Sequence, residues 1–183
     1  MKWTPGPPTF DKLSVAIRNG DLVITDNQHN EVVTVGRVAS PRPTWYVCGS
    51  RVRKPRHIVV GKGLCRRDVY HYATKANATW LRAGVTVHRS AFSSLPHDFE
   101  LTPENGFEEF FLFNTTGSAL VERRGRSPLV AQVDDVVPVI NWNAVQIPMG
   151  WHRVVALPDR DGNLADVTYV WAYLAKKPHW EKI

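Results

Sequence analysis

The 183-residue sequence predicts an all-β protein, a double sheet or barrel, and three observations carry that prediction. Most segments alternate apolar and polar side chains, Gly, Pro, Asn or Asp interrupts them about every ten residues, and no stretch sustains helical periodicity. Residues 1–10 read as an arm. Strands are predicted over 13–18, 21–25, 31–38, 44–48, 56–60, 68–72, 79–91, 108–113, 118–123, 143–147, 152–156 and 167–174. Turn chemistry supports the divisions. Asn19-Gly20 suits a tight hairpin, Asn105-Gly106 precedes an aromatic strand, and Asp161-Gly162-Asn163 separates the last two strands. Pro41-Arg42-Pro43 and Lys54-Pro55 mark off an N-terminal subregion without forming a linker.

Composition bounds the rest. At 43% hydrophobic residues the chain can fill one sizeable core but not two ordinary domains, so residues 1–183 are expected to form one domain. With 22% charged residues, and Gly and Pro spread along the chain, disorder and low-complexity classes are excluded. No apolar run approaches the roughly 18 residues of a membrane span, and the N-terminus lacks a signal-peptide stretch. The expected compartment is therefore the cytoplasm, with no membrane partner. Two cysteines, Cys48 and Cys65, are too few for a disulfide framework and read as free, buried thiols.

The net charge of +6 is local. Arg51, Arg53, Lys54, Arg56, Lys62, Arg66 and Arg67 follow one another with no acidic residue between them. Such a cluster attracts acidic small molecules or phosphates. It is also what an edge strand protected against aggregation looks like. No recognition motif accompanies it, so nucleic acid is not an expected partner.

Three stretches in the second half carry chemistry: Phe92-Ser-Ser-Leu-Pro-His97-Asp-Phe99-Glu100, Phe107-Glu108-Glu109-Phe110-Phe111-Leu112-Phe113, and Ile147-Pro148-Met149-Gly150-Trp151-His152-Arg153-Val154. A His near a strand start, a Glu opening the next strand and a His past a Pro-x-Gly turn together resemble the two signature motifs of the cupins. The resemblance implies a jelly-roll barrel, a double-stranded β-helix with additional N-terminal strands, that holds a metal inside. Residues 1–56 then supply N-terminal strands or a reduced first half, and 57–183 the barrel. Alternate strand residues face the interior, so His97, Glu109 and His152 can converge from neighbouring strands. If so, Phe111 and Phe113 follow Glu109 inward, and Val154 and Ala156 follow His152, leaving Arg153 outside. Two imidazoles and one carboxylate suit zinc, manganese or ferrous iron with positions left open. The other reading is a relic site whose polar groups bond each other, water or a ligand.

Ala91-Phe92-Ser93-Ser94-Leu95-Pro96-His97 further resembles the lead-in of the 5-deoxyglucuronate and 5-keto-4-deoxyuronate isomerases. The Glu108-Glu109 pair, the Pro148–Pro158 stretch and the ending Tyr169-Val-Trp-Ala-Tyr-Leu agree with that family over residues 57–183. The resemblance implies aldose–ketose isomerisation of a sugar acid. The family's second motif histidine, a fourth ligand, is here Phe99, which would then line the site. The family is also longer, with two barrel halves.

Glu109 and Glu100 are the candidate proton carriers, although Asp98 and Glu100 also read as surface carboxylates. His88 is a substitute ligand or a hydrogen-bonded wall. Trp142 and Trp151 adjoin the third stretch and are candidates to stack a sugar ring. Arg51, Arg53 and Arg56 are candidates to hold the ligand's carboxylate. An enzyme and a non-catalytic module sequestering an acidic or phosphorylated molecule both fit. Oxygen-dependent chemistry fits the ligand set alone. The outward positions Phe110 and Leu112 leave apolar surface that a homodimer would cover.

Overall fold

The computed structural model describes residues 13–18, 21–26, 31–38, 44–48, 56–76, 79–91, 97–98, 109–126, 133–140, 144–147 and 149–175. Nearly all are extended. Among them the one helical element is a 3-10 turn, Gly63–Cys65, and no helix is long and apolar enough to cross a membrane.

Strands β1 (Leu13–Arg18), β2 (Asp21–Asp26), β3 (Glu31–Val38) and β4 (Thr44–Cys48) form an antiparallel meander in sequence order. Arg18 lies opposite Asp21, the register expected of a two-residue turn at Asn19-Gly20. A second sheet contains β5 (Arg56–Val60), β6 (Arg67–Ala76), β7 (Thr79–His88), β9 (Glu109–Thr115), β12 (Ala144–Ile147) and β14 (Val167–Ala175), in the order β12-β9-β14-β7-β6-β5. The third is β11-β10-β13-β8, made of β8 (His97–Asp98), β10 (Ala119–Arg126), β11 (Val133–Pro138) and β13 (Met149–Ala156). From β7 to β14 the chain changes sheet at every connection except the β10–β11 hairpin. That winding is the jelly roll.

The core lies between and behind these sheets. Residues 81–88 of β7 are buried without a break. Leu81, Ala83, Val85 and Val87 occupy one face; Arg82, Gly84, Thr86 and His88 alternate onto the other. Burial on both faces follows from position, because β7 is internal to its sheet and β3 and β4 lie against β6 and β7. Ala119, Val121, Val154 and Ala156 from the four-stranded sheet join Val145, Ile147, Tyr169, Trp171 and Tyr173 from the six-stranded sheet in one cluster. Each large apolar side chain so buried contributes about 1.5–3 kcal/mol.

Alternation located most strands to within a few residues, with two exceptions. β11, Val-Asp-Asp-Val-Val-Pro, was not expected because paired aspartates disfavour strands. Here they lie opposite Arg123 and Arg124 of β10. Among the described residues the two-residue β8 pairs only with β13. β13 also starts earlier than expected, since Met149 and Gly150 already pair with Arg126 and Gly125. β7 ends at His88 instead of continuing to 91: Ser90 turns to φ 45°, its N–H donating to Asp166 at 2.7 Å. Near the last turn, Asp159 accepts from the N–H groups of Asp161 and Asn163 at 2.9 Å, and Gly162 takes φ 83°. Cys65 is a free thiol, half-buried instead of buried. Asn105-Gly106 lies outside the described residues.

Trp171 is opposite Gly84, and its indole lies on that glycine. A Cβ at position 84 would come 2.3 Å from the indole and 2.6 Å from the Tyr70 carbonyl oxygen. The indole N–H donates to Thr86 Oγ1 at 3.0 Å. Gly84→Ala should therefore lower stability by about 3 kcal/mol in urea unfolding, an overpacking cost with a strand on one side and a ring on the other. An unchanged midpoint would mean that the indole has another seat.

Candidate functional site

Two cross-strand rows define the site. In the four-stranded sheet Asp135, Arg123, His152 and His97 stand opposite one another on β11, β10, β13 and β8. In the six-stranded sheet Ile147, Glu109, Tyr173, Arg82 and Ala73 do the same on β12, β9, β14, β7 and β6. The rows belong to the same end of the barrel. β12 ends at Ile147 and β13 begins at Met149, so the chain passes from one sheet to the other across Pro148, and His152 follows five residues after the register partner of Glu109.

His152 is 1% exposed. Val154 and Ala156, on the same face, are buried as well, while Trp151, Arg153 and Val155 are half-buried. Arg153 pairs with Glu122 on the outer face. Trp151 alternates to that face too: it lies opposite Asp98 and Arg124, and the Arg124 guanidinium sits 5.3 Å from the centre of its ring. Arg124 also donates to Asp134 at 3.1 Å. Directly beside His152 in the row, Arg123 donates through Nε and Nη2 to the two oxygens of Asp135, at 2.7 and 3.0 Å. That fork holds the Asp135 carboxyl below the usual carboxylate range.

Backbone pairing thus brings His97 and His152 together as direct neighbours. In-register Cα atoms are about 4.5–5.5 Å apart, from which two imidazoles can reach one ion, and neutral nitrogen donors with a carboxylate suit a divalent metal. The donor set fits. Among the described residues no three His, Cys, Asp or Glu side chains surround a common point. The triad itself rests on His97 and Glu109, which are placed by strand register, with side chains outside the described residues.

The remaining candidates disperse. Phe99, Glu100, Trp142, Arg51 and Arg53 lie outside the described residues. Arg56 opens β5, the edge strand of the six-stranded sheet, opposite His71. His88 stands opposite Val167, six residues along β14 from the Tyr173 that neighbours Glu109, which is about 20 Å at strand spacing. It is 2% exposed, stacked on Tyr169 with centroids 5.8 Å apart and Nε2 3.5 Å from the Tyr169 hydroxyl.

Arg82, Arg123 and Tyr173 were not among the sequence candidates. Arg82 is 3% exposed, with its guanidinium carbon 5.2 Å from the centre of the Tyr173 ring. One signal was readable: an arginine within Trp-Leu-Arg-Ala-Gly-Val-Thr-Val, a run otherwise fit for burial.

No family model matches the sequence, and no curated protein matches it. An IolB-like protein from Salmonella typhimurium LT2 has a similar fold, with a TM-score of 0.53 and 17% identity over 75% of this chain and 52% of that one. The chain has the all-β cupin fold. It spans about half the length of that neighbour. The cupin domain of Schizosaccharomyces pombe Cnp3 aligns at 11% identity and a TM-score of 0.37, over 77% of this chain and 86% of that one.

His88 gives the structure a pH dependence. Burial, and after it the charge of Arg67, lower its pKa from 6.5 to about 4. The unfolded chain takes up this proton below pH 6.5 and the native state only near 4. The stabilisation is therefore complete above 6.5 and lost as the pH falls through that window, by about 3 kcal/mol at its lower end. Thermal melts of His88→Phe should lose less stability than wild type between pH 6.5 and 4. Parallel curves would show that another group is responsible.

Proposed function

We propose that this chain is a metal-dependent cupin that isomerises a sugar acid between its aldose and ketose forms. The observation that carries the reading is the direct pairing of His97 with buried His152 at the barrel end where Glu109 opens β9. The order of the three motifs supports it, as does an IolB-like fold neighbour of the sugar isomerase family.

His97, His152 and Glu109 would hold the ion. When bound, a divalent ion such as zinc, manganese or ferrous iron polarises a sugar carbonyl and its neighbouring hydroxyl. The chain's own task is to move protons. A carboxylate, Glu109 or Glu100, takes the proton from the carbon bearing the hydroxyl and returns it to the former carbonyl carbon, while the hydroxyl proton passes to the carbonyl oxygen. The exchange is balanced within the substrate and needs no oxidant or reductant. Buried apolar neighbours of His152, Val154 and Ala156 among them, keep water from competing for that proton.

Phe99 favours a second reading. Where the family has a further histidine, this side chain cannot ligate, which suits a module that retains an acidic ligand without turning it over. Chain purified without chelators should carry about one divalent ion, and His152→Ala should reduce that to below about a tenth, because two ligands seldom retain an ion against water. Phe99→His should raise metal affinity at least about tenfold. Elemental analysis and metal titration read both. Glucuronate affinity unchanged by chelator and by His152→Ala would replace the isomerase reading with the retaining module.

A further inference from the structure

Strand β5 ends the six-stranded sheet, and among the described residues no strand lies along its outer side. Backbone N–H and C=O groups point alternately to the two sides of a strand, so pairing with β6 engages only those on the inner side. The side chains are uneven in the same way. Ile58 and Val60 are half-buried and pack against the core cluster from one face, whereas Val59, alternating to the other, is 50% exposed.

Beyond Val60 the chain closes a tight turn. Gly61 takes φ 78°, where a Cβ would come 2.2 Å from the Cys65 carbonyl oxygen, and the N–H groups of Cys65 and Arg66 donate to the carbonyls of Lys62 and Gly63 at 3.0 Å. That turn holds Lys62, Leu64 and Arg66 in one short exposed stretch, with Leu64 at 62%. Among the described residues neither cation has an ion pair, unlike Arg123, Arg124 and Arg153. Asp68, the first acid after the basic run, is already engaged: His57 Nε2 lies 3.0 Å from it, with the His57 ring stacked on Tyr70 at 4.5 Å.

We infer that this edge receives an acidic, extended segment of another protein, which adds as a strand beside β5 and brings its carboxylates to Lys62 and Arg66. Backbone bonds to an open edge supply affinity for any extended chain, and charge then chooses among chains. Arg51, Arg53 and Lys54 precede β5 in the sequence and add to the same field. A second copy paired at this edge would set like charges against each other. Nucleic acid or an anionic bilayer would answer the charge and leave the strand edge unused. This role is separate from the sugar-acid reading and stands or falls without it.

The test titrates the full chain with a fluorescent peptide of alternating glutamate and valine, read by anisotropy. Binding should weaken about tenfold between 0.05 and 0.5 M salt and about tenfold in the double variant Lys62→Glu, Arg66→Glu. The same peptide methylated on alternate backbone nitrogens keeps its charge and apolar groups but cannot pair, and should bind at least about tenfold more weakly. Hydrogen exchange at residues 56–60 should slow when the unmethylated peptide is bound. No binding at about 1 mM peptide would leave the cations as protection of the edge and overturn the inference. Equal binding of the methylated peptide, or unchanged exchange at 56–60, would refute strand addition. Tighter binding of double-stranded DNA or phosphatidylserine vesicles, lost in the double variant, would give the surface to another class of partner. The methylated peptide, the salt series and the exchange measurement use wild type alone, so they decide whatever the variant does.

Discussion

The seat of Trp171 on Gly84 fixes the register on which the rest of the barrel depends. β14 pairs with β7 on one side and β9 on the other, so one residue of slippage along it would exchange Tyr169, Trp171 and Tyr173 for Val170 and Ala172 on each face. Apolar burial alone resists this weakly, because both faces of β14 are buried and both sets are apolar. The indole resists it strongly. It needs a position opposite that has no Cβ, which Gly84 provides, and a hydroxyl for its N–H, which Thr86 provides. From that single fit follow the placement of Glu109 against Tyr173 and of Tyr173 against Arg82.

On the four-stranded sheet three arginines of β10 and β13 pair with an acid in a neighbouring strand: Arg123 with Asp135, Arg124 with Asp134, Arg153 with Glu122. These pairs are at least partly in water and contribute little to stability, about 0–1 kcal/mol each. Their effect is on register, since a shifted β11 would set Asp134 and Asp135 against the wrong partners. On the six-stranded sheet Arg82 is buried, with its guanidinium over the ring of Tyr173.

The architecture was legible because alternation is local: twelve expected strands need only their own sequence and the Gly, Pro, Asn and Asp between them. β11 was not, because Asp134 and Asp135 contradict strand propensity until Arg123 and Arg124 are known to lie opposite, a fact about two segments at once. The site was legible to the same extent. His97, Glu109 and His152 stood out by motif order, yet the opposition of His97 and His152 is a register between residues fifty-five apart in sequence, which no local pattern contains. Arg82 escaped for a related reason. A lone arginine between Leu81 and Ala83 reads as the solvent side of a strand, and only the covering of both faces of β7 makes it internal.

The basic run borders an open edge of the six-stranded sheet. Arg56 begins β5, whose outer edge has no strand beside it among the described residues, and Val59 and Leu64 nearby are 50% and 62% exposed. An edge with exposed apolar groups invites pairing with other chains, and clustered positive charge repels that approach. The same charge raises the local concentration of acidic molecules without choosing among them.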